Sequence, residues 1–352
     1  MRLAHDRTLQ GGPPPGLTEA RMGSLYSASL LAIAAAALSW SLIGIFIRVM
    51  TTSRRLEVPN ERSMHSVPVP VGAGIAMVAT TLVLWPWWQV KADGAHLVLL
   101  ASFAGLGALS WIDDRNRLSA AVRLGAQTAA VALCLALLPS DARVLQVLPL
   151  VLERLLLGVA WLWFINLFNF MDGIDGLAGS EVLAVALGYL ALLTHAGLPD
   201  PFWRLALVVA ASAGGYLFWN WHPAKVFMGD AGSIPLGFLL GWLMLDLALI
   251  GQWAAGLILP LYFVADATYT LLARAVRGEK LWQAHRQHFY QRAVLGGASP
   301  SGVVWRVVAT NAMLIGLAFV SVRHPVPALV AAGGIVAGLL AHLESLARRQ
   351  AS

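Results

Sequence analysis

Residues 24–49 read SLYSASLLAIAAAALSWSLIGIFIRV, and the only charged side chain among them is that of Arg48. A helix that crosses the hydrocarbon core of a bilayer needs roughly 20 mostly apolar residues, so this stretch predicts a membrane-spanning helix. Further stretches of the same character follow at 71–90, 96–112, 121–138, 146–168, 178–196, 202–220, 232–250, 252–275, 302–321 and 325–345. The sequence therefore predicts an all-α, polytopic integral membrane protein with about eleven transmembrane helices.

The composition supports a membrane environment and excludes other classes. Of 352 residues, 58% are hydrophobic and 12% are charged, which is more apolar surface than a globular core of this length buries. The net charge is +6, but Lys and Arg are scattered through short loops, which argues against a nucleic-acid-binding protein. The single cysteine, Cys134, excludes an intramolecular disulfide.

The distribution of Lys and Arg predicts the orientation. These residues are concentrated in every second interhelical segment and in the C-terminal tail, and cytoplasmic loops carry the excess of positive charge in membrane proteins. This rule places the N-terminus outside and the C-terminus inside. It places the following segments in the cytoplasm: 51–70, 113–120, 169–177, 221–231 and 276–301.

The first 21 residues fit this topology poorly, because Arg2, Arg7 and Arg21 would have to cross the membrane. They also contain three consecutive prolines, at 13–15, which disfavour a helix. We therefore expect a disordered N-terminal extension over residues 1–21, with Met22 as an alternative start of translation. Residues 22–347 are expected to form one transmembrane domain.

Two acidic sets follow predicted spans. Asp113 and Asp114 are adjacent, and neighbouring carboxylates beside hydrocarbon are costly unless they share a cation or a proton. A helix end paired with Arg115 and Arg117 is the alternative. Residues 169–176 read NFMDGIDG, in which glycines let the backbone approach a ligand. A turn between helices explains one Asp-Gly pair but explains the second less well.

Two further sets complete the candidate chemistry. Residues 222–233 read HPAKVFMGDAGS and lead into a span. Asp230 there is suited to a hard divalent cation, with nearby backbone N–H groups free for phosphate oxygens. Residues 285–292 read HRQHFYQR, which supplies two arginines that bind phosphate and two titratable imidazoles. A lipid-headgroup anchor is the alternative for this basic loop.

The predicted topology brings all four sets to one membrane face. Carboxylates for Mg²⁺ and cations for phosphate on the same face indicate phosphoryl transfer with one substrate dissolved in the bilayer. Zinc is disfavoured, since the only cysteine lies inside a span and carboxylates prefer a hard ion.

These residues resemble the polyprenyl-phosphate N-acetylhexosamine-1-phosphate transferases of glycosyltransferase family 4. The resemblance extends from residue 57 to 301, and five motifs occur in family order. They are PNERSMHS at 59–66 with Pro68 and Pro70, the pair Asp113-Asp114, and residues 169–176, 227–233 and 285–292. The last motif is most similar to the O-antigen-initiating branch. The family usually has Thr and Arg where this chain has Val69 and Val71, which is consistent with either weaker phosphate binding or a different donor sugar.

The resemblance implies transfer of an N-acetylhexosamine 1-phosphate, GlcNAc or a deoxy relative, from a UDP-sugar to undecaprenyl phosphate, with release of UMP. It implies Mg²⁺ as the cofactor, with Mn²⁺ as an alternative, and an active site on the cytoplasmic face of a bacterial inner membrane. A homodimer is compatible with it. The implied residues are Asp113, Asp114 and His288 for catalysis, Asp172, Asp175, Phe227, Lys225, His285, Arg286 and Arg292 for the nucleotide sugar, and Asp230 and Asn169 for the metal.

Two other classes are alternatives. A transporter or flippase of lipid-linked or phosphorylated substrates would place ionisable groups near the bilayer midplane, whereas only Asp246 and Asp266 lie clearly inside predicted spans. A CDP-alcohol phosphotransferase would continue its Asp-Gly motif into Ala-Arg, but residues 177–179 read LAG. Both features favour the sugar-phosphate transferase.

Overall fold

The computed structural model describes residues 15–53, 56, 68–86, 94–116, 118–196, 202–280 and 285–348. Its helices are α1 (Pro15–Thr52), α2 (Gly74–Leu84), α3 (Gly94–Asn116), α4 (Ala120–Ala136), α5 (Leu150–Phe170), α6 (Leu177–Ala196), α7 (Trp203–Asn220), α8 (Asp230–Leu249), α9 (Trp253–Ile258), α10 (Leu261–Val276), α11 (Phe289–Leu295), α12 (Pro300–Ser321) and α13 (Pro325–Arg348). Extended backbone is paired within these residues only at one parallel bridge, between Val71 and Phe227. The all-α prediction is confirmed.

Length and composition identify the helices that can cross a membrane. In the part of the chain that the structure describes, seven helices are long and apolar enough to do so: α1, α3, α5, α6, α8, α12 and α13. Helices α2 and α4 are apolar but shorter. The prediction of a polytopic membrane protein is confirmed, while the number of eleven spans stays a prediction.

The helices depart from the predicted spans at three places. The predicted span 252–275 is divided into α9 and α10, because Pro260 has no N–H to continue the helical hydrogen bonds. Helix α11 lies inside the predicted loop 276–301. Helix α1 begins at Pro15, inside the predicted N-terminal extension, whose disorder stays a prediction. Proline is tolerated there, since the first helical N–H groups have no partner in the helix. Residues 1–14 lie outside the described residues.

Helix α8 is the centre of the bundle. It packs against α2, α3, α5 and α6, and most of its residues are buried. The indole Nε1 of Trp161, on α5, donates to the Phe238 carbonyl at 2.9 Å, and the two rings stack. Gly241 permits this approach, because a Cβ there would lie 2.3 Å from the Trp161 ring. Helix α8 is thereby fixed against α5, and its first residue lies where α3 and α5 end.

Helices α2 and α8 begin in backbone contact. The N–H of Gly74 donates to the Met228 carbonyl at 2.9 Å. A Cβ on Gly74 would lie 2.2 Å from the Cα of Gly232, and close-packed interiors leave no room for such an overlap. Gly229 has a φ of +69°, a conformation that glycine adopts without steric cost. Three glycines therefore set the position of the first turn of α8.

Candidate active site

Side chains from α3, α5 and α8 meet at the start of α8. The Nδ2 of Asn169 donates to Asp230 Oδ1 and to Ser233 Oγ, each at 2.7 Å. Asp114 accepts hydrogen bonds from the backbone N–H groups of Asp230 at 3.3 Å and Ala231 at 3.2 Å. The structure thus brings Asn169, Asp114 and Asp230 together, as the sequence motifs predict.

Asp114 caps the N-terminus of α8. The preceding residue, Gly229, has no side chain, so a carboxylate from α3 takes the place of the usual capping group. The backbone N–H groups of residues 230–233 all have acceptors within the chain. The expectation that these N–H groups are free for phosphate oxygens is therefore wrong, because the neighbouring helix already supplies their anion.

Arg123 joins Asp113 to this cluster. Its Nη1 lies 3.2 Å from Asp113 Oδ2 and 3.3 Å from Asp230 Oδ2. The other oxygen of Asp113 accepts from the Leu118 N–H at 2.6 Å, and this carboxylate is buried. In the sequence, Arg123 counts only toward membrane orientation. Its place in the first turn of the helix that follows the Asp pair is the signal that could have found it.

The alternative interpretation of Asp113 and Asp114 was a helix end that forms ion pairs with Arg115 and Arg117. The Arg115 guanidinium lies over the Trp111 ring, 3.3 Å from its centroid, and Arg117 lies outside the described residues. The cation that contacts Asp113 comes instead from α4.

Asp172 adds negative charge beside the cluster. Burial raises the pKa of this carboxyl to about 7, with the charge of Asp230 as the next cause and that of Asp114 as a smaller one. The N–H of Gly229 acts in the opposite direction by hydrogen bonding to the carboxylate. A carboxyl that resists ionisation because it is buried, and next because Asp230 and Asp114 lie near it, would be stabilised as a carboxylate by a nearby cation.

Asp175 links two loops. Its Oδ2 lies 2.7 Å from His222 Nδ1 and accepts from the Ala224 N–H at 3.0 Å. Asn220 makes a second link, because it accepts from the Gly176 N–H and donates to a backbone carbonyl of the next loop, both at 2.9 Å. Asn220 was not predicted from the sequence, because its position at the end of α7 carries no motif.

Lys225 and Phe227 lie in the loop between α7 and α8. The Lys225 side chain is exposed, with its Nζ 5.4 Å from the centroid of the Trp219 ring. Phe227 pairs through its backbone with Val71. Val71 stands where the family usually has Arg. A Cβ on Gly229 would lie 3.0 Å from Val71 Cγ1, so Val71 lies directly against the start of α8. Residues 57–67 of that motif lie outside the described residues.

His288 is held by a buried carboxylate. Its Nδ1 lies 3.2 Å from Asp266 Oδ1, and the same oxygen accepts from the Phe289 N–H at 3.0 Å. His288 Nε2 is buried and has no partner among the described residues. Asp266, which the sequence placed inside a span, therefore connects α10 to the start of α11. The loop reaches the Asp172 segment through the Tyr290 hydroxyl, which donates to the Phe170 carbonyl at 3.3 Å.

The other three residues predicted in this loop differ in their surroundings. Arg292 pairs with Glu344 of α13, with Nη1 2.6 Å from Oε2, and its guanidinium lies over the Phe289 ring. That pairing accounts for its charge without a nucleotide. Arg286 is partly exposed. His285 lies 4.9 Å from His288, measured between ring centroids.

His285 is expected to lower the stability of the protein in mild acid. Burial, with the neighbouring His288 and Arg274, lowers its pKa from 6.5 to about 4. The unfolded chain therefore takes up a proton near pH 6.5 that the folded protein takes up only near pH 4. Stability present above pH 6.5 is lost as the pH falls through this window. In His285→Gln, the fall in thermal midpoint between pH 7 and pH 5 should be smaller by about 2 °C.

His342→Gln is the control, because this imidazole lies on α13 and pairs with Arg306. An identical pH dependence in wild type and His285→Gln would contradict the assignment of a neutral His285.

An apolar groove lies within the helical bundle. It has a volume of about 640 Å³ and is lined by α5, α8, α9 and α10. Leu167 is the lining residue nearest the C-terminus of α5 and precedes Asn169 by two residues, and Val144 and Leu145, which precede α5, also line the groove. Trp253 and Leu257 are among the lining residues and are exposed, so the groove is open on the side of α9.

Comparisons with known proteins agree with this arrangement. Residues 96–248 match the model of Glycosyl transferase family 4. The Streptomyces coelicolor protein named "Putative glycosyltransferase SCO3672" is 31% identical over 342 residues, which cover 91% of this chain and 77% of that protein. The Bacillus subtilis protein named "Probable undecaprenyl-phosphate N-acetylglucosaminyl 1-phosphate transferase" is 28% identical, over 69% of this chain and 71% of that protein. "Decaprenyl-phosphate N-acetylglucosaminephosphotransferase" of Mycobacterium tuberculosis is 27% identical, over 80% of this chain and 79% of that protein. Asp113, Asn169 and Asp230 all lie within the matched region, and the chain belongs to glycosyl transferase family 4.

Proposed function

We propose that this protein transfers an N-acetylhexosamine 1-phosphate from a UDP-sugar to undecaprenyl phosphate, releasing UMP. The observation that carries the proposal is the cluster of Asp113, Asp114, Asn169 and Asp230 at the start of α8, in a bundle that also contains an apolar groove. We assign the diphosphate to the cluster and the prenyl chain to the groove, whose lining on α5 extends to Leu167, two residues before Asn169. The relatives named for polyprenyl-phosphate substrates support the same reaction.

Mg²⁺ fits this site, with Mn²⁺ as the alternative. No three His, Cys, Asp or Glu side chains in the described part of the chain are arranged to hold a metal, but proteins usually bind Mg²⁺ through one or two carboxylates together with substrate phosphates. Asp230 and Asp113 already share one cation, the Arg123 guanidinium. We assign Asp230 and Asn169 as the protein ligands. When bound, the ion would neutralise charge on the diphosphate as UMP departs.

The protein groups have separate tasks in this reaction. An oxygen of the lipid phosphate forms a bond to the sugar-linked phosphorus, and the bond from that phosphorus to UMP breaks. The second pKa of a phosphate monoester is near 6, so little proton removal is needed. Asp114 acts by fixing the first turn of α8, and Asp113 holds Arg123 in the metal-free protein. Asp266 orients His288, whose Nε2 we assign to the diphosphate.

The nucleotide is assigned to the loops around Asp172. The residues assigned to the nucleotide sugar lie in three segments. Asp172 follows α5, Lys225 and Phe227 lie in the loop between α7 and α8, and His285 and Arg286 lie in the loop before α11. Asp175 contributes by holding the loop that precedes α8. We assign Arg292 a structural task, because Glu344 already pairs with it.

The active site is proposed to face the cytoplasm of a bacterial inner membrane, where UDP-sugars are made. The C-terminus should then lie in the cytoplasm. Alkaline phosphatase fused to the C-terminus should therefore show no periplasmic activity, while green fluorescent protein fused there should fluoresce. The matched control is the same pair of reporters after Asp141, in the loop between α4 and α5, which should give the opposite result. Reversed signals would place the cluster on the other face.

The test of the proposed function is a reaction with defined substrates. Purified full-length protein is incubated with undecaprenyl phosphate, Mg²⁺ and a panel of UDP-sugars, and the lipid product is identified by mass spectrometry. We expect undecaprenyl-diphosphate-N-acetylhexosamine and UMP in equal amounts. Product with UDP-N-acetylhexosamine but none with UDP-N-acetylmuramoyl-pentapeptide would support the first membrane step of O-antigen or a related envelope polysaccharide. Absence of product with every UDP-sugar would overturn the proposal.

A further inference from the structure

Arg123 lies where a metal ion would have to bind. A single nitrogen, Nη1, contacts Oδ2 of Asp113 at 3.2 Å and Oδ2 of Asp230 at 3.3 Å. The two aspartates come from different helices, α3 and α8, so the guanidinium is the contact that joins them. A guanidinium cannot lose its proton in a protein, and this charge is therefore permanent.

All four oxygens of these two carboxylates are already engaged. Asp113 Oδ1 accepts from the Leu118 N–H at 2.6 Å, and Asp230 Oδ1 accepts from Asn169 Nδ2 at 2.7 Å. The two Oδ2 atoms contact Arg123. Each oxygen still has a second lone pair, but a divalent ion that binds Asp230 Oδ2 would lie directly beside the Arg123 guanidinium. The guanidinium is the donor that repels the ion by charge.

The side chain of Arg123 is able to leave. It is 38% exposed, and it projects from the first turn of α4, whose start is held independently by the Ser119 cap. Withdrawal of the guanidinium therefore requires no change in α4 itself. Asn169, in contrast, also bonds Ser233, so its amide is held more firmly.

We propose that Arg123 is an internal counter-cation, which neutralises Asp113 and Asp230 in the metal-free protein and is displaced when the divalent ion binds. The inference rests on the metal site of the proposed function. It means that the free protein binds the ion weakly, because each binding event separates two ion pairs. Arg123 is thus a residue that sets metal affinity, distinct from the metal ligands themselves.

The test is a Mn²⁺ titration of the full-length protein in detergent, without nucleotide or lipid, followed by electron paramagnetic resonance. Arg123→Gln removes the competing charge and should bind Mn²⁺ about 10-fold more tightly than wild type, given the strength of charge-assisted hydrogen bonds. Arg115→Gln is the matched control, since it removes the same charge one residue after Asp114. Its affinity should change by about 2-fold or less, because the Arg115 guanidinium is exposed to solvent and lies over the Trp111 ring, and exposed charges are screened.

A second measurement separates this role from a merely structural one. In EDTA, Arg123→Gln should have a lower thermal midpoint than wild type, since Asp113 and Asp230 are left without a cation. Saturating Mg²⁺ should raise that midpoint more in the variant than in wild type. Arg123→Lys keeps the charge and should bind Mn²⁺ with an affinity between those of wild type and Arg123→Gln, and it serves if the glutamine variant does not fold.

Two results would overturn the proposal and are distinguishable. Equal or weaker Mn²⁺ binding by Arg123→Gln, at a site that Asp230→Asn abolishes, would refute the counter-cation while the metal site stands. No Asp230-dependent Mn²⁺ site in any variant would refute the metal site, and the counter-cation with it.

Discussion

Asp230→Asn is expected to lower turnover by about 10² or more while the protein still folds. The substitution keeps the shape of the side chain, so the contacts of residue 230 with Asn169 and with Asp114 through the backbone are retained in outline. It removes the full negative charge of the side chain that would face the proposed Mg²⁺ ion. In the proposed reaction, the loss falls mainly on the transition state, where charge on the departing UMP would be greatest. Turnover at saturating Mg²⁺ is the measurement.

Asp141→Asn is the matched control for that experiment. Asp141 is exposed in the loop between α4 and α5, and the same chemical change there should leave turnover within about 2-fold of wild type, as for most surface substitutions. Near-native turnover of purified Asp230→Asn at saturating Mg²⁺ would contradict the assignment of Asp230 as a metal ligand. Asn169 or Asp172 would then be the candidate ligands.

Gly232→Ala is expected to lower activity strongly through steric overlap alone. A Cβ at this position would lie 2.4 Å from the Cα of Gly74 and 2.6 Å from Met228 Cγ. Because the first contact is with backbone, α2 and α8 must separate, and the start of α8 carries Asp230. Overpacking of this kind costs about 1–3 kcal/mol or more. We expect a lower thermal midpoint and a fall in turnover of about 10-fold or more.

Gly316→Ala provides the comparison, because a Cβ at this position in α12 meets nothing within 4 Å. Alanine is the better helix former by about 1 kcal/mol, so this variant should be at least as stable as wild type and equally active. A normal midpoint and normal turnover in Gly232→Ala would show that α2 and α8 are not in the close contact described.

Hydropathy and motif spacing were sufficient to predict the helical membrane fold and to bring several residues to one place. Asp113, Asp114, Asn169 and Asp230 follow or begin apolar runs that alternate in direction, so their convergence follows from topology. The break at Pro260 was not predicted, because the apolar pattern continues through it.

The residues that were missed act by contacts that no local pattern records. Arg123 is one basic residue among several at the same membrane face, and only the packing of α4 against α3 brings it to Asp113. Asp266 lies inside an apolar run, and its task depends on α11 folding back over it. Side-chain partners across helices depend on rotation about each helix axis, which hydropathy does not define.

The open side of the apolar groove also determines the unit in which the concentration of the proposed lipid substrate should be expressed. A prenyl chain that enters past Trp253 and Leu257 arrives by diffusion in the plane of the membrane and never passes through water. Its effective concentration is then a number of molecules per unit of membrane area, so adding empty detergent or phospholipid dilutes it even at a constant amount per litre. Half-saturation by undecaprenyl phosphate should accordingly follow its mole fraction in the micelle or vesicle, whereas half-saturation by the UDP-sugar should follow its molar concentration.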